Sequence, residues 1–135
     1  MPTRNILLSY VALLVLTLTA LYPFIGPGFG LDSDAWRVAL AARQMAETGS
    51  YVSSRAPGYP LHEIICAGLL ALSPGALCLW SLLCGAGCVL LFYSILRHEK
   101  LGAAFLLALA FASVPAFTIA CTEALDYTTA CLLLL

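Results

Sequence analysis

Charged side chains are scarce in this sequence. Of its 135 residues, six are Lys or Arg and seven are Asp or Glu, so the charged fraction is 10% and the formal net charge is -1. A soluble domain has about a quarter of its residues charged, because its surface must face water. With 62% hydrophobic residues and a mean hydropathy of +0.99, this chain is expected to be covered by lipid instead. The composition therefore predicts an integral membrane protein.

Two further absences exclude classes of function. The chain lacks an excess of basic residues, so it has no patch that could bind nucleic acid by releasing counterions. It also lacks a CxxC pair, although it contains six cysteines. These cysteines lie in or beside apolar runs, at Cys66, Cys78, Cys84, Cys88, Cys121 and Cys131. We interpret them as small buried hydrophobic residues and assign no metal ligand.

The apolar runs predict an all-α, polytopic transmembrane protein. Spans are expected where a run approaches the ~20 residues that cross a bilayer. They fall at about residues 6–25, 76–96 and 101–120, followed by an incomplete span at 125–135. The first run is too long for the core of a signal peptide and lacks a clear cleavage site, which favours an uncleaved anchor. Because the sequence stops within an apolar run, residues 1–135 are expected to be the N-terminal part of a longer membrane domain.

Residues 26–75 are predicted to form a large external loop with two short helices. The first, at 31–49, begins with side-chain oxygens that can cap its free N–H groups and ends at a glycine. The second, at 61–72, is apolar but too short to span, so it is expected to lie along the membrane or to be re-entrant. Between them, the prolines and glycine of residues 50–60 forbid a regular helix.

The few positive charges predict the orientation in the membrane. Arg4 and the turn containing Arg97 and Lys100 lie on the same side only if residues 61–72 do not cross the bilayer. The positive-inside tendency then makes the N-terminus cytoplasmic. The external loop and the acidic turn at 122–127 consequently share the non-cytoplasmic face. In a bacterium this membrane would be the inner one.

Eight polar residues on that face are candidates for chemistry. The candidate catalytic carboxylates are Asp34, Asp32 and Glu123, and the candidate substrate-binding residues are Arg37, Arg55, Tyr59, His62 and Asp126. A carboxylate at a membrane surface can accept a proton from a nucleophile, and a guanidinium can bind a phosphate through parallel hydrogen bonds. The carboxylates could also hold a divalent cation, so a cation cofactor stays open. A structural interpretation stays open too, since an external helix needs polar residues and a His–Glu neighbour pair is often only a local polar pair.

The order of these residues resembles the N-terminal part of the GT-C membrane glycosyltransferases, in the branch of protein O-mannosyltransferases and aminoarabinose transferases. Asp34-Ala35-Trp36-Arg37, continuing to Ala42-Arg43-Gln44-Met45, is similar to the family pattern of an Asp, an Arg three residues later, and an Ala-Arg-acidic-Met ending. Thr48-Gly49-Ser50-Tyr51 and Arg55-Ala56-Pro57-Gly58-Tyr59-Pro60 resemble the G-x-Y and R-x-P-G-x-P segments of bacterial relatives. Ala35 stands where many members have Glu, and the chain covers only the front part of a typical member.

The resemblance implies an activity and a set of roles. Family members transfer a sugar from a polyprenyl-phosphate carrier to a glycan, lipid or protein acceptor by a single inverting displacement on the non-cytoplasmic face. By this resemblance, Asp34 would be the general base, and Arg55, or else Arg37, would receive the lipid phosphate. Glu123 would lie in the second external loop, where the family often has another acidic residue. The alternative is a small non-enzymatic membrane protein that assembles with partners through its external loop. A transporter is less favoured, because no charged residue lies deep within the predicted spans.

Overall fold

The structure is a computed structural model that describes residues 3–26 and 28–135, without the side chains of residues 3 and 4. Within these residues 74% of the chain is helical and no strand is present. The all-α prediction is confirmed. Arg4, whose charge entered the prediction of orientation, lies outside the described side chains.

Seven α-helices follow one another along the described chain. They are α1 (Thr3–Leu21), α2 (Ser33–Thr48), α3 (Pro60–Leu70), α4 (Gly75–His98), α5 (Ala104–Ala112), α6 (Pro115–Thr122) and α7 (Tyr127–Leu134). Among the residues that the structure describes, two segments are long and apolar enough to cross a membrane, Asn5–Phe24 and Gly75–His98. The bent pair of α5 and α6 would be a third if it forms one span. These features identify a helical membrane protein.

The segment predicted as a span at 101–120 consists of two helices that meet at a bend. α5 ends at Ala112, α6 begins at Pro115, and the axes of the two helices differ by 64°. The break has a local cause, since proline lacks a backbone N–H and its ring disfavours helical geometry in the preceding residue. Val114 accordingly has the extended backbone angles φ -65° and ψ 124°.

The two short helices predicted within residues 26–75 are present. Asp32 caps α2, because its side chain accepts a hydrogen bond of 2.7 Å from the backbone N–H of Asp34. Gly49 ends α2 in the left-handed conformation, with φ +68°, and its N–H bonds to the carbonyl of Met45. α3 begins at Pro60 and packs against α2. The helical pair therefore holds residues 49–59 as a short loop between two fixed ends.

α4 is the central helix of the bundle and contacts α1, α3, α5, α6 and α7. One core cluster surrounds its first turns, where Leu77 and Cys78 pack with Ala35 of α2 and Leu125. A second cluster surrounds its last turns, around Tyr93. Glycines on α4 allow α6 and α7 to approach closely, since a side chain at Gly85 would collide with Cys121 and one at Gly87 with Leu132. The cysteines are small packing residues as predicted: Cys66, Cys78, Cys84, Cys88 and Cys121 are buried, and Cys131 is partly buried.

Candidate functional site

Three segments meet near the first turns of α4. They are the entry to α2 (residues 28–34), the α2–α3 loop (residues 49–59) and the α6–α7 turn (residues 123–126). Because α3 and α7 both pack against α4, the α2–α3 loop and the α6–α7 turn come together. The packing of α2 on α3 adds the entry to α2. Most of the polar residues singled out in the sequence lie on these segments.

Backbone contacts fix the entry to α2 on the α6–α7 turn. The N–H of Ala124 donates to the carbonyl of Phe29 at 2.9 Å, and the N–H of Asp32 donates to Oε2 of Glu123 at 2.9 Å. Gly30 has φ +118° and lies so near the Glu123 side chain that a Cβ atom would come within 2.6 Å of it. Only glycine suits this position. Glu123 and Asp32 thus act here as a connection between segments.

Arg55 links the carboxylates of Asp34 and Asp126. Its Nη1 atom pairs with Asp34, and its Nη2 atom lies 2.7 Å from Oδ1 of Asp126. The side chains of Arg55 and Asp126 are 18% and 3% exposed, so this is a largely buried ion pair. The guanidinium also lies over the rings of Tyr59, at 4.8 Å, and Tyr127, at 5.5 Å, where cation–π attraction adds to the ion pairs.

Burial and charge act in opposite directions on this pair. Burial raises the pKa of Asp126 above its ordinary value, and the positive charge of Arg55 only partly offsets that effect. Burial would lower the pKa of Arg55, but Tyr127, Asp126 and Asp34 together outweigh it and raise that pKa. Arg55 is therefore a permanent cation that stabilises a costly buried carboxylate.

Asp34 is the accessible carboxylate of the cluster. Its side chain is 25% exposed and lies between two guanidinium groups, since Nη1 of Arg37 is 3.3 Å from its Oδ1 atom. Arg37 is 60% exposed, whereas both terminal nitrogens of Arg55 contact carboxylates. The geometry therefore favours Arg37 over Arg55 as the cation that an incoming phosphate would meet. Arg43 and Glu47, further along α2, form an exposed pair of the ordinary kind at 2.8 Å.

His62 is buried beside this cluster and has no free nitrogen. It is 2% exposed, with Nδ1 at 3.0 Å from Oγ1 of Thr129 and Nε2 at 3.4 Å from Sγ of Cys66. Burial lowers the pKa of His62 to about 4, which the charge of Glu63 opposes without cancelling, so the ring is neutral at neutral pH. Trp80 donates to the same Thr129 oxygen at 3.1 Å. In this arrangement His62 can shape a pocket, but it has no free donor or acceptor for a ligand.

A cavity of about 220 Å³ opens beside the cluster. Its lining includes Tyr59, His62 and Asp126, together with Leu133 of α7. The lining is mostly apolar. Two of its lining residues, Tyr59 and Asp126, also contact Arg55.

The structure brings all eight predicted site residues into this region, but sequence reasoning missed several of their partners. Tyr127 and Thr129 contact Arg55 and His62, and nothing in their sequence context signalled it. Glu63, the neighbour of His62 on α3, accepts hydrogen bonds from Tyr51 and Ser54 of the α2–α3 loop. A carboxylate in an apolar helix was the signal that could have found it. Within residues 3–26 and 28–135, no group of three or more His, Cys, Asp or Glu side chains is arranged to hold a metal ion.

Comparisons with models of known protein families, with curated proteins and with solved structures found no match. The resemblance to the GT-C glycosyltransferases therefore stays a prediction from the sequence.

Proposed function

We propose that the protein is a membrane glycosyltransferase that moves a sugar from a polyprenyl-phosphate carrier to an acceptor on the non-cytoplasmic face. One observation carries this proposal: Asp34, a partly exposed carboxylate at the start of α2, pairs with both Arg37 and Arg55 beside the membrane helices. A carboxylate with two oriented guanidinium groups combines a base with cations suited to a phosphate leaving group.

Asp34 would be the general base of a single displacement. Its carboxylate takes the proton of the acceptor hydroxyl as the hydroxyl oxygen forms a bond to the anomeric carbon. The bond from that carbon to the carrier phosphate breaks, and its electron pair leaves with the phosphate. Arg37, whose guanidinium is the more exposed, would stabilise the negative charge on the departing phosphate. Arg55 would hold Asp34 in place through its second ion pair with Asp126.

The surroundings of the cluster suit a donor with a polar head and an isoprenoid tail. The phosphate requires a cation near the membrane surface, and the tail requires apolar space that continues into the bilayer. The mostly apolar cavity lined by Tyr59, Asp126 and Leu133 supports this assignment. Glu123 and Asp32 would contribute by fixing the entry to α2, on which Asp34 lies.

Transfer by Asp34 variants tests this proposal. Membranes containing the protein, expressed from its native gene, are incubated with undecaprenyl-phosphate-linked mannose, glucose and aminoarabinose, each radiolabelled in the sugar. Asp34→Asn keeps the shape of the side chain but removes its basicity, so transfer should fall about 10²- to 10⁴-fold. Glu47→Gln is the matched control, because it neutralises an exposed carboxylate on the same helix and should leave transfer unchanged.

If the Asp34→Asn variant is present at normal abundance and transfers sugar at the wild-type rate, Asp34 is not the base. Absence of transfer from all three donors by the wild type would favour the assembly protein. In that case, binding of partners should respond to substitutions across the exposed face of α2, whatever stands at position 34.

A further inference from the structure

Glu63 is a carboxylate without exposed surface on the apolar helix α3. Its Oε1 atom accepts hydrogen bonds from the backbone N–H of Ser54 at 2.8 Å and from the Ser54 hydroxyl at 2.5 Å. Its Oε2 atom accepts from the hydroxyl of Tyr51 at 2.6 Å and from the backbone N–H of Tyr59 at 3.2 Å. All of these donors belong to the α2–α3 loop.

These bonds replace the water that burial removes. A buried carboxylate is costly unless hydrogen bonds satisfy its oxygens. Burial by itself raises the pKa of Glu63, but the bonds from Ser54, Tyr51 and Tyr59 outweigh it, and the pKa lies below its ordinary value. Reciprocally, the bond to Glu63, with burial, raises the pKa of Tyr51 to about 12. At neutral pH the centre of the loop is thus a charged acceptor surrounded by donors.

The anchored residues lie on both sides of Arg55. Ser54 immediately precedes it, and Tyr59, four residues later, supports its guanidinium with the ring at 4.8 Å. The turn between them is closed by Gly58, with φ +93°, where a Cβ atom would lie 2.6 Å from the Tyr51 hydroxyl. The backbone on each side of Arg55 is therefore tied to one carboxylate that does not itself touch the ion pairs.

We propose that Glu63 is a positioning residue: by binding both sides of the α2–α3 loop, it sets the location of Arg55 between Asp34 and Asp126. Its effect on the loop is independent of what the protein does. Its effect on sugar transfer rests on the proposed function, in which Arg55 holds the base Asp34.

Amide hydrogen exchange of the full chain in detergent tests the effect on the loop. Glu63→Gln keeps the size of the side chain but replaces one acceptor oxygen with a donor. Exchange in residues 51–59 should become at least tenfold faster, while exchange in α4 stays unchanged and reports an intact bundle. Glu47→Gln is the matched control and should leave residues 51–59 unchanged.

A second variant tests the same contact if Glu63→Gln does not fold. Tyr51→Phe removes one donor and leaves the buried carboxylate with its Ser54 and Tyr59 partners, so the same segment should exchange about threefold faster. Exchange in residues 51–59 at the wild-type rate in either folded variant would overturn the proposal.

Transfer kinetics separate this proposal from the proposed function. Where the wild type transfers sugar, Glu63→Gln should lower kcat about tenfold and leave the KM for the donor nearly unchanged, because Asp34 is misplaced while Arg37 is retained. Faster loop exchange with an unchanged kcat would refute the link from Glu63 to Asp34. If the wild type transfers no sugar, the proposed function fails, and the exchange rates alone still decide whether Glu63 positions the loop.

Discussion

Arg55 is the residue on which the geometry of the site depends, because it pairs with carboxylates from two other segments. Asp126 contributes the buried end of this arrangement, at 3% exposure, and its raised pKa shows that burial disfavours its charge. Breaking a buried ion pair from one side is usually worse than removing both partners, since the remaining charge has neither water nor a counterion.

A double-mutant cycle on the free energy of unfolding tests this dependence. Arg55→Gln should destabilise the protein by about 3 kcal/mol, because it leaves Asp126 buried without a cation. Adding Asp126→Asn should restore more than half of that loss. Arg43→Gln, which breaks only the exposed pair with Glu47, should change stability by less than about 1 kcal/mol. Purely additive effects at positions 55 and 126 would contradict the buried pair.

The lowered pKa of His62 predicts that the free energy of unfolding depends on pH. Its pKa is about 4 in the folded protein against an ordinary value of 6.5, so the unfolded chain binds more protons between these two values. The contribution of His62 to stability should therefore be constant above about pH 7 and should fall as the pH decreases from 6.5 towards 4, by about 3 kcal/mol at most. His62→Gln should lose this part of the pH dependence. His98→Gln, at an exposed histidine, should retain it. The same pH profile in all three proteins would show that His62 is not buried as a neutral ring.

At the scale of the helices, the sequence predicted a helix boundary correctly where neighbouring residues determine that boundary. Asp32 and Gly49 are ordinary start and stop residues, and they bound α2 as predicted. Pro115, before which the helix breaks, was equally visible in the sequence, but the apolar run around it favoured a continuous span. Prolines are tolerated in membrane helices when neighbours compensate, so hydropathy alone could not decide between a kink and a break.

The contacts within the site could not all be predicted from local sequence patterns. The common location of Asp34, Glu123 and Asp126 followed from counting which segments cross the membrane. The ion pair between Arg55 and Asp126 joins residues 71 positions apart, and no spacing along the chain encodes it. The same holds for the bond between Tyr51 and Glu63, which depends on how α3 is placed against the loop. The participants could be predicted from their chemistry, whereas their partners required the tertiary structure.

At the scale of the whole molecule, the site and the basic turn between α4 and α5 lie at opposite ends of α4. The 24 residues of α4 extend about 36 Å, which is enough to cross the hydrocarbon layer. Its first turns pack near Ala35 and Leu125, and its last turns precede Arg97 and Lys100. The positive-inside tendency would then place the site on the non-cytoplasmic face, where a polyprenyl-phosphate donor would be used.

The location of the site on the face opposite the α4–α5 turn is the claim on which the proposed function depends most. It can be measured by labelling Glu47→Cys, on the exposed side of α2, and Lys100→Cys with a membrane-impermeant thiol reagent, using the unsubstituted protein as the background. Position 47 should be labelled in intact cells, and position 100 only after the membrane is permeabilised. Labelling of both positions from the same side, or of position 100 alone in intact cells, would contradict a site on the non-cytoplasmic face.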